Sequence, residues 1–263
     1  KLTIAETGFG AGLNFLAVLD VLEKFPNSQI DYISFEARPL CLSTLAQTHA
    51  AFPDCALQSK KLLKNLPPRW PGLHLRHFNQ GRIRLHLFYG TAEACMSQTS
   101  FLADIWFLDG FSPAKNPDMW SNKVLSHIGR LTRKGGSVAT FTSARKVSDG
   151  LADAGFTITK KPGFGNKRNM IIGYKIGLET ASATVKRVSP VVGIIGGGIA
   201  ATSVAAGLRH RGIEATILDA GPGLATEASG NRLALQTPRL SVDHNVASQL
   251  SASCLVYASH CSD

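Results

Sequence analysis

The sequence has little that would point to a metal centre or an oxidising compartment. Its five cysteines, Cys41, Cys55, Cys95, Cys254 and Cys261, form no CxxC pair and share no repeating spacing. That argues against a zinc site or a disulfide framework, and for a reducing environment. His74 and His77 stand close together without a matching Cys/His pair, and are expected as surface residues of a basic loop. No signal peptide is visible. Long apolar runs are also missing, with one near exception at residues 191–208. That stretch has the length of a membrane span, but Gly193, Gly196, Gly197 and Gly198 interrupt it, and each helical glycine costs about 1 kcal/mol relative to alanine. A strand, a turn and a helix account for it better, so a cytoplasmic protein with no membrane partner is expected.

Acidic charge is in short supply. Lys and Arg number 28 against 18 Asp and Glu, a formal net charge of +10. The excess lies early: residues 1–180 hold 22 basic against 13 acidic side chains, and residues 181–263 hold 6 against 5. Such an excess serves solubility or favours a polyanion, because binding releases counterions from a phosphate backbone. A nucleic acid is therefore expected to meet the first part. The composition, 44% hydrophobic and 17% charged, suits a globular protein with a real core. The chain starts at Lys1 inside what reads as a buried strand and ends at 255–263 without a cap, which suggests a piece of a longer protein.

Strands and helices alternate along the chain. Residues 2–5 read as a strand running into the turn Glu6-Thr7-Gly8-Phe9-Gly10-Ala11-Gly12, and 13–22 repeat apolar residues at helical spacing. Further strands are expected at 30–35, 83–88, 104–108 and 137–141, the last following a Gly135-Gly136 turn. Helices are expected at 40–49, 123–131 and 146–154, and 52–80 reads as a Pro-rich basic connection. Residues 156–160 and 170–174 then form two strands with no helix between them. Five β/α units closed by a β-hairpin outline the class I fold of S-adenosylmethionine (SAM)-dependent methyltransferases, where a plain dinucleotide fold would add another helix. Residues 177–190 read as a linker, after which a strand (191–195), a helix (199–210) and a strand (215–218) begin a second unit. The expected domains are thus 1–176, a methyltransferase, and 191–263, the first part of a dinucleotide-binding domain.

A glycine turn between strand and helix brings the backbone close to a ligand and turns helix amides toward it. Alone it is a weak signal, but three carboxylates accompany it. Glu36 ends the second strand, 24 residues past Gly12, where a carboxylate accepts the ribose hydroxyls of an adenosine. Asp109 ends the fourth strand, at the edge where an open α/β sheet places its ligand. Glu6 lies in an apolar strand end, where a carboxylate is costly without a partner. The ammonium of SAM is one such partner and a neighbouring lysine is another.

The segments ETGFGAGLNF, ISFEARPL, DIWFLDGFSPAKNPDMW, GGSVATFTSA, LADAGF and KPGFGNKRNM, in this order from residue 1 to about 175, resemble the methyltransferase domain of the MnmC family, bifunctional tRNA 5-methylaminomethyl-2-thiouridine biosynthesis proteins. The resemblance implies methyl transfer from SAM to the amine of an aminomethyl group on a wobble uridine of tRNA. It implies that Glu6, Gly8, Gly10, Gly12 and Asn14 surround the methionine part of SAM, and that Glu36 holds the ribose. Asp109 would stand at the transfer site and orient the amine. As a strong base it would be poorly matched, since an ordinary carboxylate has a pKa near ~3.9. Phe111 would stack on an extruded base or pack in the core. Lys115, Arg145, Lys146, Lys160, Lys161, Lys167 and Arg168 are candidates for phosphate contacts. One position departs from the pattern: where an Asp after Gly90 would hold the adenine amine, Thr91 stands, a weaker acceptor.

The second turn, Gly196-x-Gly198-x-x-Ala201, follows a strand and opens a helix, with Asp219 ending the next strand 23 residues after Gly196. This is the full dinucleotide context. It resembles the opening of FAD-dependent amine oxidoreductases, which implies that Gly196, Gly198 and Ala201 hold a pyrophosphate and Asp219 a ribose. About seventy residues are too few to enclose a flavin, so no oxidase activity is expected of this chain alone. A monomer without a bound metal is expected. Two other classes stay open, an oxidoreductase with two dinucleotide sites and an inactive tRNA-binding remnant.

Overall fold

The computed structural model describes residues 1–163, 165, 169–177, 190–243 and 245–261. Its first part is an eight-stranded sheet built from β1 (Leu2–Thr7), β2 (Ile30–Glu36), β3 (Gly72–Phe78), β4 (Ile83–Tyr89), β5 (Ala103–Leu108), β6 (Thr132–Thr140), β7 (Phe156–Pro162) and β8 (Asn169–Lys175). The order across the sheet is β3-β4-β2-β1-β5-β6-β8-β7. Strands β4, β2, β1, β5 and β6 pair in parallel, while β8 runs antiparallel between β6 and β7. The expected hairpin is therefore present, and it closes the sheet as the methyltransferase outline requires.

Each central strand is buried on both faces, so its side chains divide by alternation. Tyr32, Ile83, Leu85 and Leu87 pack with Phe15, Leu16 and Leu19 on one face. Those last three belong to α1 (Leu13–Glu23). Ile33, Phe35, Trp106 and Val138 pack on the other face. There they meet residues of α5 (Asn122–Arg130) and α6 (Arg145–Asp153). Both apolar clusters are drawn wholly from residues between Leu2 and Ile171.

The connection expected at 52–80 is structured. A short turn at Pro53–Cys55 leads into α3 (Ala56–Lys64), followed by edge strand β3, antiparallel to β4. His74 is not a surface residue: it is 3% exposed and bonds through Nε2 to the Trp70 carbonyl. His77 is half-buried and stacks on His210, ring centroids 4.7 Å apart. The remaining helices here are α2 (Leu42–Ala50) and α4 (Ala92–Ser97). Strand β6 starts at Thr132 and passes through Gly135-Gly136 instead of following them, with a register shift against β5 between Ala103 and Ile105.

Residues 178–189, most of the expected linker, lie outside the described residues. Beyond them β9 (Val192–Ile195), α7 (Ile199–Arg209) and β10 (Ala215–Leu218) form a small parallel βαβ unit. Helix α8 (Val246–Cys261) follows and packs along β3. The chain end read from sequence as uncapped thus carries a helix. Its start is capped by Asn245, whose Oδ1 accepts from the Ser248 amide at 3.0 Å. Among the described residues no helix is long and apolar enough to cross a membrane.

Candidate active site

The strand order reverses at β1, which pairs with β2 on one side and β5 on the other. In an open α/β sheet the crevice at the carboxyl ends of such strands is where ligands bind. Three of the candidate carboxylates end these strands, Glu6 on β1, Glu36 on β2 and Asp109 just after β5. Sequence separations of 30 and 73 residues thus become one edge.

Glu6 is 1% exposed. Its Oε1 accepts from Asn14 Nδ2 and its Oε2 from Ser34 Oγ, each at 2.8 Å. Burial pushes its carboxyl up to about 8, against the lowering effect of those hydrogen bonds, and the charge of Asp109 raises it further. Asn14, in the first turn of α1, also donates to Asp109 Oδ2 at 3.0 Å. Both carboxylates draw on the same amide nitrogen, so the side-chain orientation of Asn14 is set. Asp109 is exposed and takes a second donor, the Gly110 amide, on Oδ1 at 2.9 Å.

The turn itself depends on left-handed backbone. Gly8 has φ +81°, and a Cβ there would lie 2.9 Å from the Asp109 carbonyl oxygen. At Gly10, φ +52°, a Cβ would meet nothing within 4 Å. Open space therefore faces the turn where a ligand would sit. The Gly10 amide donates to Glu36 Oε2 at 2.8 Å, and the Arg38 amide to Oε1 at 2.7 Å. The turn and the β2 carboxylate are therefore already joined. The donor set fits SAM: a buried carboxylate without a cation bonded to it among the described residues, a second carboxylate placed for two hydroxyls, and a glycine cradle.

Thr91 lies at the end of β4 as the cap of α4, its Oγ1 accepting from the Ala94 amide at a long 3.4 Å. The neighbouring Gly90 amide donates to the Glu36 carbonyl at 3.0 Å, which places Thr91 on the Glu36 side of the crevice. No hydrogen bond ties it to the Glu6–Asn14–Asp109 group. Phe111 is 70% exposed, so the core-packing alternative fails. Its backbone is fixed instead, by Trp120 Nε1 donating to its carbonyl at 2.9 Å. Lys115, Arg145, Lys146, Lys160 and Lys161 are all exposed. Lys167 and Arg168 lie outside the described residues.

At the second turn Gly196 has φ +92° and receives no contact at a Cβ position. Asp219 accepts from the amides of Gly221 and Gly197, which hold its carboxyl below the usual carboxylate range. Ser229 Oγ accepts from the first amide of α7, at Ile199, at 3.0 Å. A pyrophosphate bound there would compete with that hydroxyl. Ala201 is buried and Gly198 precedes the helix.

Residues 53–176 match a family described as S-adenosyl-L-methionine-dependent methyltransferase. Residues 194–254 match an NAD(P)-binding Rossmann-like domain. The tRNA 5-methylaminomethyl-2-thiouridine biosynthesis bifunctional protein MnmC of Magnetococcus marinus is 39% identical over 97% of the chain. Its counterpart from Vibrio cholerae serotype O1 is 40% identical over 98%. The chain belongs to the MnmC family.

It spans 40–41% of the length of these MnmC relatives. Among solved structures, that of MNMC2 from Aquifex aeolicus superposes with a TM-score of 0.55 at 24% identity, covering 67% of this chain and 54% of the other. That likeness supports the fold: a methyltransferase-type mixed sheet followed by a small parallel βαβ segment. Within this MnmC-family chain, sequence reasoning missed Ser34 and His49. Ser34 supports Glu6 from β2 and was hidden inside an apolar strand. His49, 4% exposed on α2, bonds through Nε2 to the Ala11 carbonyl of the glycine turn and through Nδ1 to Ser59 Oγ, both at 2.8 Å. No spacing rule links residues 11, 49 and 59, so only the packed helices could show it.

Proposed function

We propose that the first part of this chain, residues 1–176, methylates a tRNA. The acceptor would be the primary amine of 5-aminomethyl-2-thiouridine at the wobble position, giving 5-methylaminomethyl-2-thiouridine, the nucleoside that the relatives' names carry. The observation that carries the reading is the shared Asn14 amide, which holds Glu6 and Asp109 together at the switch point of the sheet. SAM, when bound, supplies a methyl group on a positively charged sulfur.

The residues have separable tasks. Glu6, which burial keeps protonated without the cofactor, would ionise against the cofactor's ammonium and give it a counter-charge inside the protein, and Glu36 accepts from its ribose. Gly8, Gly10 and Gly12 let the backbone approach it, and Thr91 lines the adenine side. Asp109, with a donor on each oxygen, keeps free lone pairs for the N–H groups of the incoming amine. A neutral amine would attack the methyl carbon in line as its bond to sulfur breaks, leaving a neutral thioether; the nitrogen gains positive charge until it releases one proton to solvent, and a fixed carboxylate stabilises that charge and holds the attack geometry. Phe111 offers an exposed ring for a base drawn out of its stack. Lys115 stands beyond it for the backbone phosphates. Residues 191–263 we read as the beginning of the FAD-binding domain, with Gly196, Gly198 and Ala201 toward the pyrophosphate and Asp219 toward the ribose. The alternative of two dinucleotide sites conflicts with β8 lying antiparallel between β6 and β7.

The test is methyl transfer from labelled SAM to tRNA bearing aminomethyl-uridine, with Asp109→Ala beside the wild type. The variant is expected to bind SAM within about threefold of wild type while methyl transfer falls by on the order of a hundredfold or more. Normal transfer by Asp109→Ala would sink the assignment of that residue.

A further inference from the structure

We propose that His49 is a positioning residue for the cofactor turn, locking the Ala11 peptide from the helical layer behind it; this rests on the SAM reading of the turn. Ala11 lies between Gly10 at φ +52° and Gly12 at φ +72°, with Gly8 at φ +81° three residues earlier. Glycines in the left-handed region supply the needed shape but leave the ligand-free chain many alternatives, so a turn of this kind gains affinity from whatever holds it still. Its tethers run in two directions. Toward β2, the Gly8 amide donates to the Phe35 carbonyl at 2.9 Å and the Gly10 amide to Glu36 at 2.8 Å. Toward the helices, the Ala11 carbonyl accepts from His49 at 2.8 Å. Under the SAM reading Glu36 is shared with the ribose when the cofactor binds. The His49 tether touches no group assigned to the ligand and stays unchanged.

The chemistry of the partners fixes the ring. A carbonyl oxygen only accepts, so Nε2 must carry a proton and donate to Ala11. In the neutral ring Ser59 Oγ, 7% exposed on α3, then donates to Nδ1 at 2.8 Å. A buried polar ring is costly when its nitrogens are unpaired, and here each has one partner, on a different element. The result is a rigid link from α3, through α2, to the middle of the turn. The same two bonds would also exist if His49 merely stapled α2 to α3, and the two roles separate by which bond matters. Asparagine places its amide near the Nδ1 position and keeps the Ser59 side. Glutamine reaches the Nε2 position and keeps a donor for Ala11.

The experiment measures SAM binding by titration calorimetry and amide hydrogen exchange at residues 10–12 of the ligand-free chain, for wild type, His49→Asn and His49→Gln. His49→Asn is expected to weaken SAM by about tenfold and speed exchange in the turn markedly, while His49→Gln, which keeps the Ala11 bond and loses only the Ser59 contact, weakens it by no more than about threefold and speeds exchange far less. Equal losses in both variants, or an unchanged His49→Asn, overturn the proposal. If neither variant folds, Ser59→Ala decides, since the ring then loses the hydroxyl that orients it. A loss of about threefold supports the link, and unchanged affinity and exchange overturn it. A wild-type chain that binds no SAM would overturn the cofactor reading, whereas the ligand-free exchange data judge the tether independently.

Discussion

Glu6 is a carboxyl group held where the neutral acid is favoured, and this has a consequence for stability. In the unfolded chain it titrates near 4.5, and in the folded, ligand-free protein near 8. Between those values the folded state holds a proton that the unfolded state has lost. Stability from this group is therefore complete below about pH 4.5 and is lost as pH rises toward 8, each unit costing roughly 1.4 kcal/mol at most. Glu6→Gln cannot ionise and keeps an acceptor for Asn14. Its thermal unfolding midpoint is expected to exceed that of wild type at pH 8.5 and to converge with it near pH 5; parallel curves would refute the burial argument. Phe111 makes the opposite kind of prediction. At 70% exposure its ring adds little to the fold, so Phe111→Ala should leave the midpoint unchanged. If it stacks on a base, KM for tRNA should rise by roughly 5- to 100-fold, since such stacking is worth about 1–3 kcal/mol.

At the level of elements, the sheet places the site and the glycine turn shapes it. A Cβ on Gly8 would stand 2.9 Å from the Asp109 carbonyl in a backbone region L side chains rarely adopt. Gly8→Ala should therefore cost about 1–3 kcal/mol of stability and separate the ends of β1 and β5. Chemical denaturation would measure the first effect and SAM titration the second; a variant with wild-type values in both would show that the turn tolerates a side chain. The elements that sequence reading overlooked have identifiable reasons. Helix α3 has Pro53 and Asp54 just before it and Lys61 and Lys64 in its last turn, signals consistent with a helix. They were masked by the proline-rich stretch that follows. Strand β3 alternates, but its inward face carries His74 and Arg76, each about 3% exposed. Arg76 is satisfied by the carbonyls of Asn65 and Leu75. Inward polar residues reverse the usual pattern, and nothing short of the tertiary partners explains them.

Across the whole molecule the two parts differ in how well they bury themselves. The first has two filled apolar layers. The second exposes Ile195, Leu218, Leu233 and Leu235 at 59% or more, because two strands with only α7 packed on them, α8 lying along β3, cannot cover their own apolar surface. Residues 1–177 alone should accordingly keep SAM binding within about threefold, with a lower unfolding midpoint because α8 no longer lies along β3. They should also keep the salt dependence of tRNA binding, since most of the excess positive charge is theirs. Loss of SAM binding in that fragment would mean the second part completes the site.

Apart from β3, α3, α4 and α8, the order of strands and helices was legible in the sequence, as were the terminal hairpin, both glycine turns and the three strand-end carboxylates. Each depends on local periodicity, on glycine's backbone freedom, or on a polar residue ending an apolar run. What tertiary structure alone decided was which groups meet. Asn14 reaches across to Asp109, Ser34 supports Glu6, and His49 holds Ala11, because β1, β2, β5 and the α2–α3 pair are brought together by packing. Partners separated by 95, 28 and 38 residues leave no local trace. The energy that joins them belongs to the buried sheet and not to either segment.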